Sequence, residues 1–414
     1  MKKEVLAIVV GGGPAPGING VISAAAIEAI NEGKKVMGIV GGFKSLFAGG
    51  KKAAVRELSI EDVSRIHTTG GSILRTSRDP MDTAKEKFSV LLATLRQLNV
   101  RYLLTIGGDG TAFMARWIEK ETRGKLSVVH VPKTIDNDLY LPGDRSSFGY
   151  NTARHWGVEI VKNLMEDAKT TGRWYFISTM GRNAGHLALG IGKAAGAPLT
   201  LIPEEFGERT VSLQKVSDIL EGSIIKRLSM KKDHGVAVLA EGISGKLDMN
   251  ELETLEDIQR DEAGRIRLSE IQLGRIFKEI VKKSLESRGI RTTIVHKTIG
   301  YELRAAAPIP YDIEYTRNLG YGAVRFLLCG GSGAMIVFDE GRLRPVSFVE
   351  LTDPLTGKIR NKLVDVNSEN YEVGRKYMIR LEKEDFAPSS ISLLAKTAGM
   401  SVAQFNKKFS SLVA

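Results

Sequence analysis

The chain has 414 residues, 43% hydrophobic and 26% charged, and its 59 basic and 48 acidic side chains leave a formal net charge of +11. That length exceeds one ordinary core and predicts two lobes of a globular protein, with a basic excess suited to acidic ligands. There is no arginine-rich tail, no basic run interleaved with aromatics, no signal-peptide h-region and no apolar stretch of membrane-spanning length, so the expectation is a cytoplasmic protein of small phosphorylated metabolites, with no nucleic acid and no membrane as partner.

Residues 5–10 form a continuous apolar run that ends in Gly11-Gly-Gly-Pro-Ala-Pro-Gly17, and 18–30 are alanine-rich with helical spacing. Strand, glycine turn and helix open a doubly wound sheet, and the helix N-terminus offers unpaired N–H groups to an anion. Taken alone, the same motif fits a tight connection that binds nothing. A second strand is expected at 35–40, and the polar stretch 51–66 is helix-compatible. It leads to Thr68-Thr-Gly-Gly-Ser-Ile-Leu-Arg-Thr-Ser-Arg78-Asp-Pro80, where arginines among small hydroxyl residues fit either a phosphate clamp or a solvated loop. An amphipathic helix follows at 84–97, with Phe88, Leu91, Leu92 and Leu95 on one stripe.

Two turns then stand close together, Thr-Ile-Gly-Gly-Asp-Gly-Thr at 105–111 and Pro-Lys-Thr-Ile-Asp-Asn-Asp at 132–138. Each follows an apolar run, 102–106 and 128–131, that reads as a buried parallel strand, so both turns are expected at the carboxyl edge of one sheet, where open α/β sheets bind ligands. The first combines Gly107, Gly108 and Gly110 with the carboxylate of Asp109, which suits a phosphate approached by main-chain N–H groups and a metal held by oxygen. The second adds Asp136 and Asp138 beside a hydroxyl and Lys133. Together they read as a phosphoryl-transfer centre.

A long helix is expected at 151–170 and a buried strand at 174–179, ending in Met180-Gly-Arg-Asn-Ala-Gly-His186, with His186 a turn inside the next helix as a packing or capping residue. Residues 236–240 form another strand that ends in Glu241-Gly242, a carboxylate able to accept sugar hydroxyls or cap a helix. The stretch 244–290 is charged and mostly helical, with Ile271, Leu273, Ile276, Ile280 and Leu285 on a buried face. A strand at 292–299 precedes Gly300-Tyr-Glu-Leu-Arg304, 323–328 is apolar helix, and 334–338 and 347–351 resemble short strands. Cys329, the one cysteine, excludes an internal disulfide, agrees with a reducing cytosol and reads as a small core residue. Helices are expected at 371–380 and 390–409, without a catalytic signature.

These pieces resemble a phosphofructokinase of the bacterial type, in the family's order: Gly-Gly-Gly-Pro-Ala-Pro-Gly-Ile-Asn at 11–19, Gly70 to Arg78, Gly-Gly-Asp-Gly at 107, Thr-Ile-Asp-Asn-Asp at 134, Met-Gly-Arg at 180, Ala-Glu-Gly at 240 and Gly-Tyr-Glu-Leu-Arg at 300. Gly-Gly-Asp-Gly-Thr also resembles lipid and NAD kinases, which leaves the later motifs unexplained. The resemblance implies an α/β fold of two doubly wound parallel-sheet (Rossmann-like) lobes with the active site in the cleft between them, plus a helical C-terminal extension. The expected division is a donor lobe of 1–147 with about 305–345, a fructose 6-phosphate lobe of 148–304, and an extension of 346–414 packing on the lobes.

The implied reaction moves a phosphoryl group to the 1-hydroxyl of fructose 6-phosphate. By the match of motifs, Asp136 is the general base, Thr134 and Arg182 stabilise the transferred group, and Asp138 supports the loop or metal. Asp109 with the backbone around Gly108 holds Mg²⁺ and phosphates, and Gly13, Arg78, Gly110, Thr111 and Lys133 complete the donor site. Met180, Gly181, Arg182, Glu241, Tyr301 and Arg304 recognise the sugar, with Arg304 on its 6-phosphate and Arg173 reaching that phosphate from a neighbouring subunit of a homodimer or homotetramer. A non-catalytic sugar-phosphate binder is disfavoured because Asp109, Asp136 and Arg182 are all present.

The donor is the open point. ATP users of the family carry glycine at both discriminating positions and pyrophosphate users aspartate and lysine, whereas this chain has Gly110 and Lys133. Glycine at 110 leaves room for an α-phosphate and a lysine stem can swing aside, so the expectation is ATP, with reversible pyrophosphate-dependent transfer as the alternative. The opening glycine motif, Tyr301 and the long chain resemble the pyrophosphate-related branch. Ser23 and Ile27 stand where allosteric members carry effector-binding arginines, so weak or absent control through that site is expected.

Overall fold

The computed structural model describes residues 3–78, 81–142, 145–255, 271–357 and 359–413. The chain forms two compact units, Met1–Ala153 with Tyr301–Lys362, and Arg154–Gly300 with Leu363–Ala414. In chain order the first unit supplies β1 (Val5–Val10), β2 (Lys35–Ile39), β3 (Val55–Glu57), β4 (Val100–Gly107), β5 (Ser127–Thr134) and β6 (Phe148–Gly149). The second supplies β7 (Arg173–Thr179), β8 (Leu199–Leu201), β9 (Gly235–Ala240) and β10 (Thr293–Ile299), and the chain returns to the first for β11 (Ala334–Asp339) and β12 (Arg342–Ser347). The first sheet runs β12-β11-β5-β4-β1-β2-β3, with β6 beside the end of β5, and the second runs β10-β7-β9-β8.

The strands from β2 to β11 in the first sheet are parallel, and only the edge pairs β2–β3 and β11–β12 are antiparallel. Every residue of β1 is buried, as a strand covered on both faces requires. Its side chains alternate: Ala7 and Val9 join a core with Phe43, Leu91, Met114 and Val128, while Leu6, Ile8 and Val10 join one with Ile18, Ile22, Leu319 and Val324. On the latter face the helices Ile18–Asn31 and Pro310–Leu328 pack closely. A Cβ at Gly320 would stand 2.5 Å from the carbonyl oxygen of Val21 and 3.0 Å from Cβ of Ala24, so small residues on both helices allow the contact.

In the second unit all neighbouring strands are parallel. Trp174, Phe176, Leu239 and Phe277 form a core with Leu394, Phe405 and Phe409 of the C-terminal segment. Arg380 pairs with Glu205, Lys226 with Asp385 and Lys408 with Asp218, which ties that segment to its unit. The expected extension 346–414 is divided between the two, its residues up to Lys362 belonging to the first unit and those from Leu363 to the second.

Several local expectations are corrected. Within 51–66 the chain forms β3 against β2 and only a short helix, Ile60–Val63, whose cap Ser59 accepts from the Asp62 N–H; pairing at the sheet edge outweighs weak helical propensity there. At 347–351 the chain forms the helix Phe348–Leu351, because the Ser347 side chain caps the Val349 N–H. Cys329 is exposed at the end of Pro310–Leu328 rather than buried. The helix expected at 390–409 is two, Pro388–Thr397 and Val402–Phe409, parted at Gly399 with φ +65°. Within 244–290 the helices are Met249–Glu253 and Leu273–Glu286, and the expected part at 256–270 lies outside the described residues, as do Asp79 and Pro80 of the arginine motif. No helix of the described residues is long and apolar enough to cross a membrane.

The close helix pair yields a direct prediction. Gly320→Ala should destabilise the protein by about 1–3 kcal/mol through overpacking against the Val21 carbonyl, read as a lower midpoint in urea unfolding, whereas Gly124→Ala, where no atom lies within 4 Å, should lose only what its left-handed φ requires.

Candidate active site

β1, β4 and β5 are neighbours in register, with Val10 opposite Ile106 and Gly107 opposite Pro132, so the turns that follow them emerge side by side. At the first, the Gly11 N–H donates to the Ile106 carbonyl at 2.9 Å and the Gly12 N–H to that of Ser77 at 2.8 Å. The Thr76 hydroxyl donates to the Gly12 carbonyl at 2.7 Å. The loop that carries exposed Arg78 is therefore zipped to the glycine turn. Thr111 fills the space that side chains at Gly11 or Gly107 would need, which seats the helix Asp109–Thr122 and leaves Asp109 exposed at its first turn. Gly110 faces open space, with nothing within 4 Å of a Cβ there.

Lys133 is the centre of this edge. Its side chain is buried, only 4% exposed, and Nζ donates to the carbonyl of Gly13. Burial pulls its pKa down to about 8; Asp136 and Asp138 oppose the shift while Arg78 and Arg304 reinforce it. Arg304 belongs with this group, since its Nη1 lies 2.9 Å from where a Cβ on Gly13 would be and its guanidinium rests 4.6 Å from the centre of the Tyr301 ring. Tyr301 and Arg304, expected in the sugar lobe, are part of the first unit.

The loop after β5 is held by its own side chains. The Thr134 hydroxyl donates to Asp138 Oδ1 and accepts the Asp136 N–H, both at 3.0 Å. Asn137, at φ +55°, accepts the Ser147 N–H at 3.1 Å, and the Ser147 hydroxyl donates to the Thr134 carbonyl at 2.8 Å. A strap from late in the chain adds backbone bonds: the Lys362 N–H donates to the Asp138 carbonyl at 2.8 Å and the Tyr140 N–H to that of Arg360 at 3.2 Å. No motif at 359–362 announced this strap.

In the second unit Met180, Gly181 and Arg182 follow β7, and Glu241 follows the adjacent β9. The Gly242 N–H donates to the Gly181 carbonyl at 2.9 Å, and Gly181 holds φ +127°, so these residues share one sheet edge. Arg173 opens β7 at its opposite end, about 20 Å away along the strand, and lies 3.9 Å from Asp167. His186 is the first residue of the helix His186–Ala195, not a turn inside it. A cavity of about 370 Å³ lined by Lys162, Lys169, Arg227 and His234 contains none of the candidate residues.

One buried group at the first edge escaped the sequence reading. His130, in the middle of β5, is fully buried; its Nδ1 accepts from the Thr105 hydroxyl at 2.8 Å and its Nε2–H donates to the Gly107 carbonyl at 3.1 Å. Its only signal in the sequence is a polar residue inside an apolar run. Among the described residues no three His, Cys, Asp or Glu side chains gather as a metal cage.

Glycine turns, a buried lysine and a carboxylate loop at one parallel-sheet edge define an α/β protein of the phosphotransferase class. The phosphofructokinase family model matches residues 5–327, and the chain belongs to the phosphofructokinase family. It is 53% identical over 412 residues, 98% of both chains, to a pyrophosphate–fructose 6-phosphate 1-phosphotransferase of Thermotoga maritima. It is 48% identical over 418 residues, 99% of this chain and 95% of the other, to the protein of the same description from Naegleria fowleri. An ATP-dependent 6-phosphofructokinase of Aquifex aeolicus is 35% identical over 337 residues, 81% of this chain and 91% of its own. A crystal structure of a pyrophosphate-dependent phosphofructokinase from Marinobacter aquaeolei shares the fold, with a TM-score of 0.67 at 17% identity over 91% of this chain and 92% of that one.

These likenesses overturn the expectation of ATP as donor, because the relatives that share about half their residues with this chain are described as pyrophosphate enzymes. The physical fault in that expectation is visible at Lys133. Its stem was expected to swing aside, but it is buried and its ammonium is bonded to the Gly13 carbonyl.

The strap predicts a localised effect. Lys362→Pro removes the N–H that binds the Asp138 carbonyl, and should raise deuterium uptake across 134–140 while Lys362→Ala, which keeps that N–H, leaves it unchanged.

Proposed function

We propose that the protein is a reversible pyrophosphate-dependent fructose 6-phosphate 1-phosphotransferase of the cytoplasm, acting in glycolysis. The observation that carries the donor assignment is the likeness over nearly the whole chain to two enzymes so described. Lys133 gives it a physical cause: a fixed ammonium beside the Gly12–Gly13 turn neutralises a compact polyanion without having to be ordered on binding.

A sugar hydroxyl is a poor nucleophile at neutral pH, so transfer needs a proton acceptor and charge neutralisation. In this proposal Asp136 takes the proton of the 1-hydroxyl. Thr134, whose hydroxyl accepts the Asp136 N–H and donates to the Asp138 carboxylate, holds the backbone of the loop that carries Asp136 and stabilises the transferred group. Arg182 offsets charge on the moving phosphoryl group. Gly13, Arg78, Gly108, Thr111 and Lys133 form the donor site, and Gly110 is its unobstructed wall. Met180, Gly181, Arg182, Glu241, Tyr301 and Arg304 recognise the sugar phosphate, and Arg173 acts across subunits of a homodimer or homotetramer. The carboxylate of Asp109, exposed and without a cage around it, fits Mg²⁺, which takes one or two carboxylates together with substrate phosphates. Bound there, Mg²⁺ would supply charge neutralisation to the phosphates.

A coupled assay with fructose 6-phosphate and Mg²⁺ tests this reading: pyrophosphate should support turnover and ATP should not. Asp136→Ser should lower kcat by about 10²–10⁴-fold with little change in KM for the sugar; near-normal turnover would remove the base assignment. Lys133→Gly should raise KM for pyrophosphate about tenfold or more.

Lys133 also sets a pH dependence. Its pKa, lowered to about 8 by burial, means that it is charged below that value and loses its proton above it. The kcat/KM for pyrophosphate should therefore fall as pH rises from 7 to 9, and this limb should flatten in Lys133→Met, with the two profiles compared at constant free Mg²⁺.

A further inference from the structure

None of the proposed steps uses His130, yet it is the group that holds the first turn from beneath. The Gly107 carbonyl can only accept, so the imidazole nitrogen facing it, Nε2, carries the proton, and Nδ1 is left to accept from the Thr105 hydroxyl. Burial lowers the pKa of His130 to about 3, which keeps the ring neutral across the working range of pH, with the tautomer set by these two partners. Thr105 is opposite His130 in the β4–β5 ladder, so the ring is fixed at both nitrogens by β4.

Gly107 ends β4, and Gly108 is the cap residue of the helix Asp109–Thr122. Two successive glycines leave the peptide that joins them without side chains to set its orientation. The backbone contains no cis peptide bonds among the described residues, so the carbonyl and the N–H of that peptide point in opposite directions. Fixing the Gly107 carbonyl towards the buried ring therefore turns the Gly108 N–H away from it.

We propose that His130 is a positioning residue for the phosphoryl donor, holding the Gly107 carbonyl inward so that the Gly108 N–H is presented to the phosphate oxygens of pyrophosphate. The inference rests on the pyrophosphate reading given above. It accounts for a polar ring between Val129 and Val131, where a residue such as valine would suffice for packing.

The test uses three variants of the full-length protein. His130→Leu fills the volume without a donor, and His130→Asn is too short to bring its amide to the Gly107 carbonyl. His130→Gln can place an amide N–H near the position of Nε2. In the Leu and Asn variants, KM for pyrophosphate, and for phosphate in the reverse direction, should rise about tenfold, while KM for fructose 6-phosphate stays within about twofold; the Gln variant should return to within about threefold of wild type. A packing role alone would lower the melting temperature and the active fraction without this split. If KM for pyrophosphate is unmoved in His130→Leu, if both substrate constants rise together, or if Gln is no better than Asn, the inference is overturned. Should His130→Leu fail to fold, the comparison of Gln with Asn still decides it. Failure of the wild type to use pyrophosphate at all would defeat the functional reading instead.

Discussion

An ammonium group withdrawn from water must be compensated by its surroundings, and the first unit is arranged to do this for Lys133. The shift of its pKa from an ordinary 10.5 to about 8 corresponds to roughly 3 kcal/mol against the charged form. The Gly13 carbonyl accepts one of its protons, and the carboxylates of Asp136 and Asp138 favour the charge. Arg78 and Arg304 work against it, so carboxylates and guanidinium groups act in opposite senses on one buried ammonium. Under the proposed function this buried ammonium meets the incoming polyanion, so the same residue bears on both the packing of the first unit and the binding of the donor.

The rest of the edge follows from how closely backbones must approach one another around that lysine. Gly12 lies against Nζ, Gly13 against the Arg304 guanidinium, and Gly11 and Gly107 against Thr111. A methyl group at Gly11, Gly13 or Gly107 would displace the side chain packed there, whereas at Gly12 it would meet Nζ at ordinary contact distance. Gly110 differs, since it faces open space and no neighbouring atom requires a glycine there.

The C-terminal part of the chain, beyond the residues that match the family, has two structural duties. Up to Lys362 it pairs with the loop that carries Asp136 and Asp138. From Leu363 it supplies Phe405 and Phe409 to the second core and closes ion pairs from Arg380 and Lys408 to Glu205 and Asp218. A segment without a catalytic signature of its own thus supports residues that are assigned chemistry.

The sequence by itself determined most of the parallel strands, though not the short β6 and β8, together with the glycine and carboxylate turns at their ends, because apolar runs closed by glycine motifs are local patterns and each motif is contiguous. It also carried the family, through motifs met in the right order. What only the tertiary structure decided depends on residues far apart in the chain. Arg304 stands beside Gly13, and the strap at 359–362 reaches Asp138. His130 takes its meaning from Thr105 and Gly107 on the next strand. Lys133, read in sequence as a flexible cation, is a buried and bonded one, because burial is a property of the surroundings and no local pattern contains it.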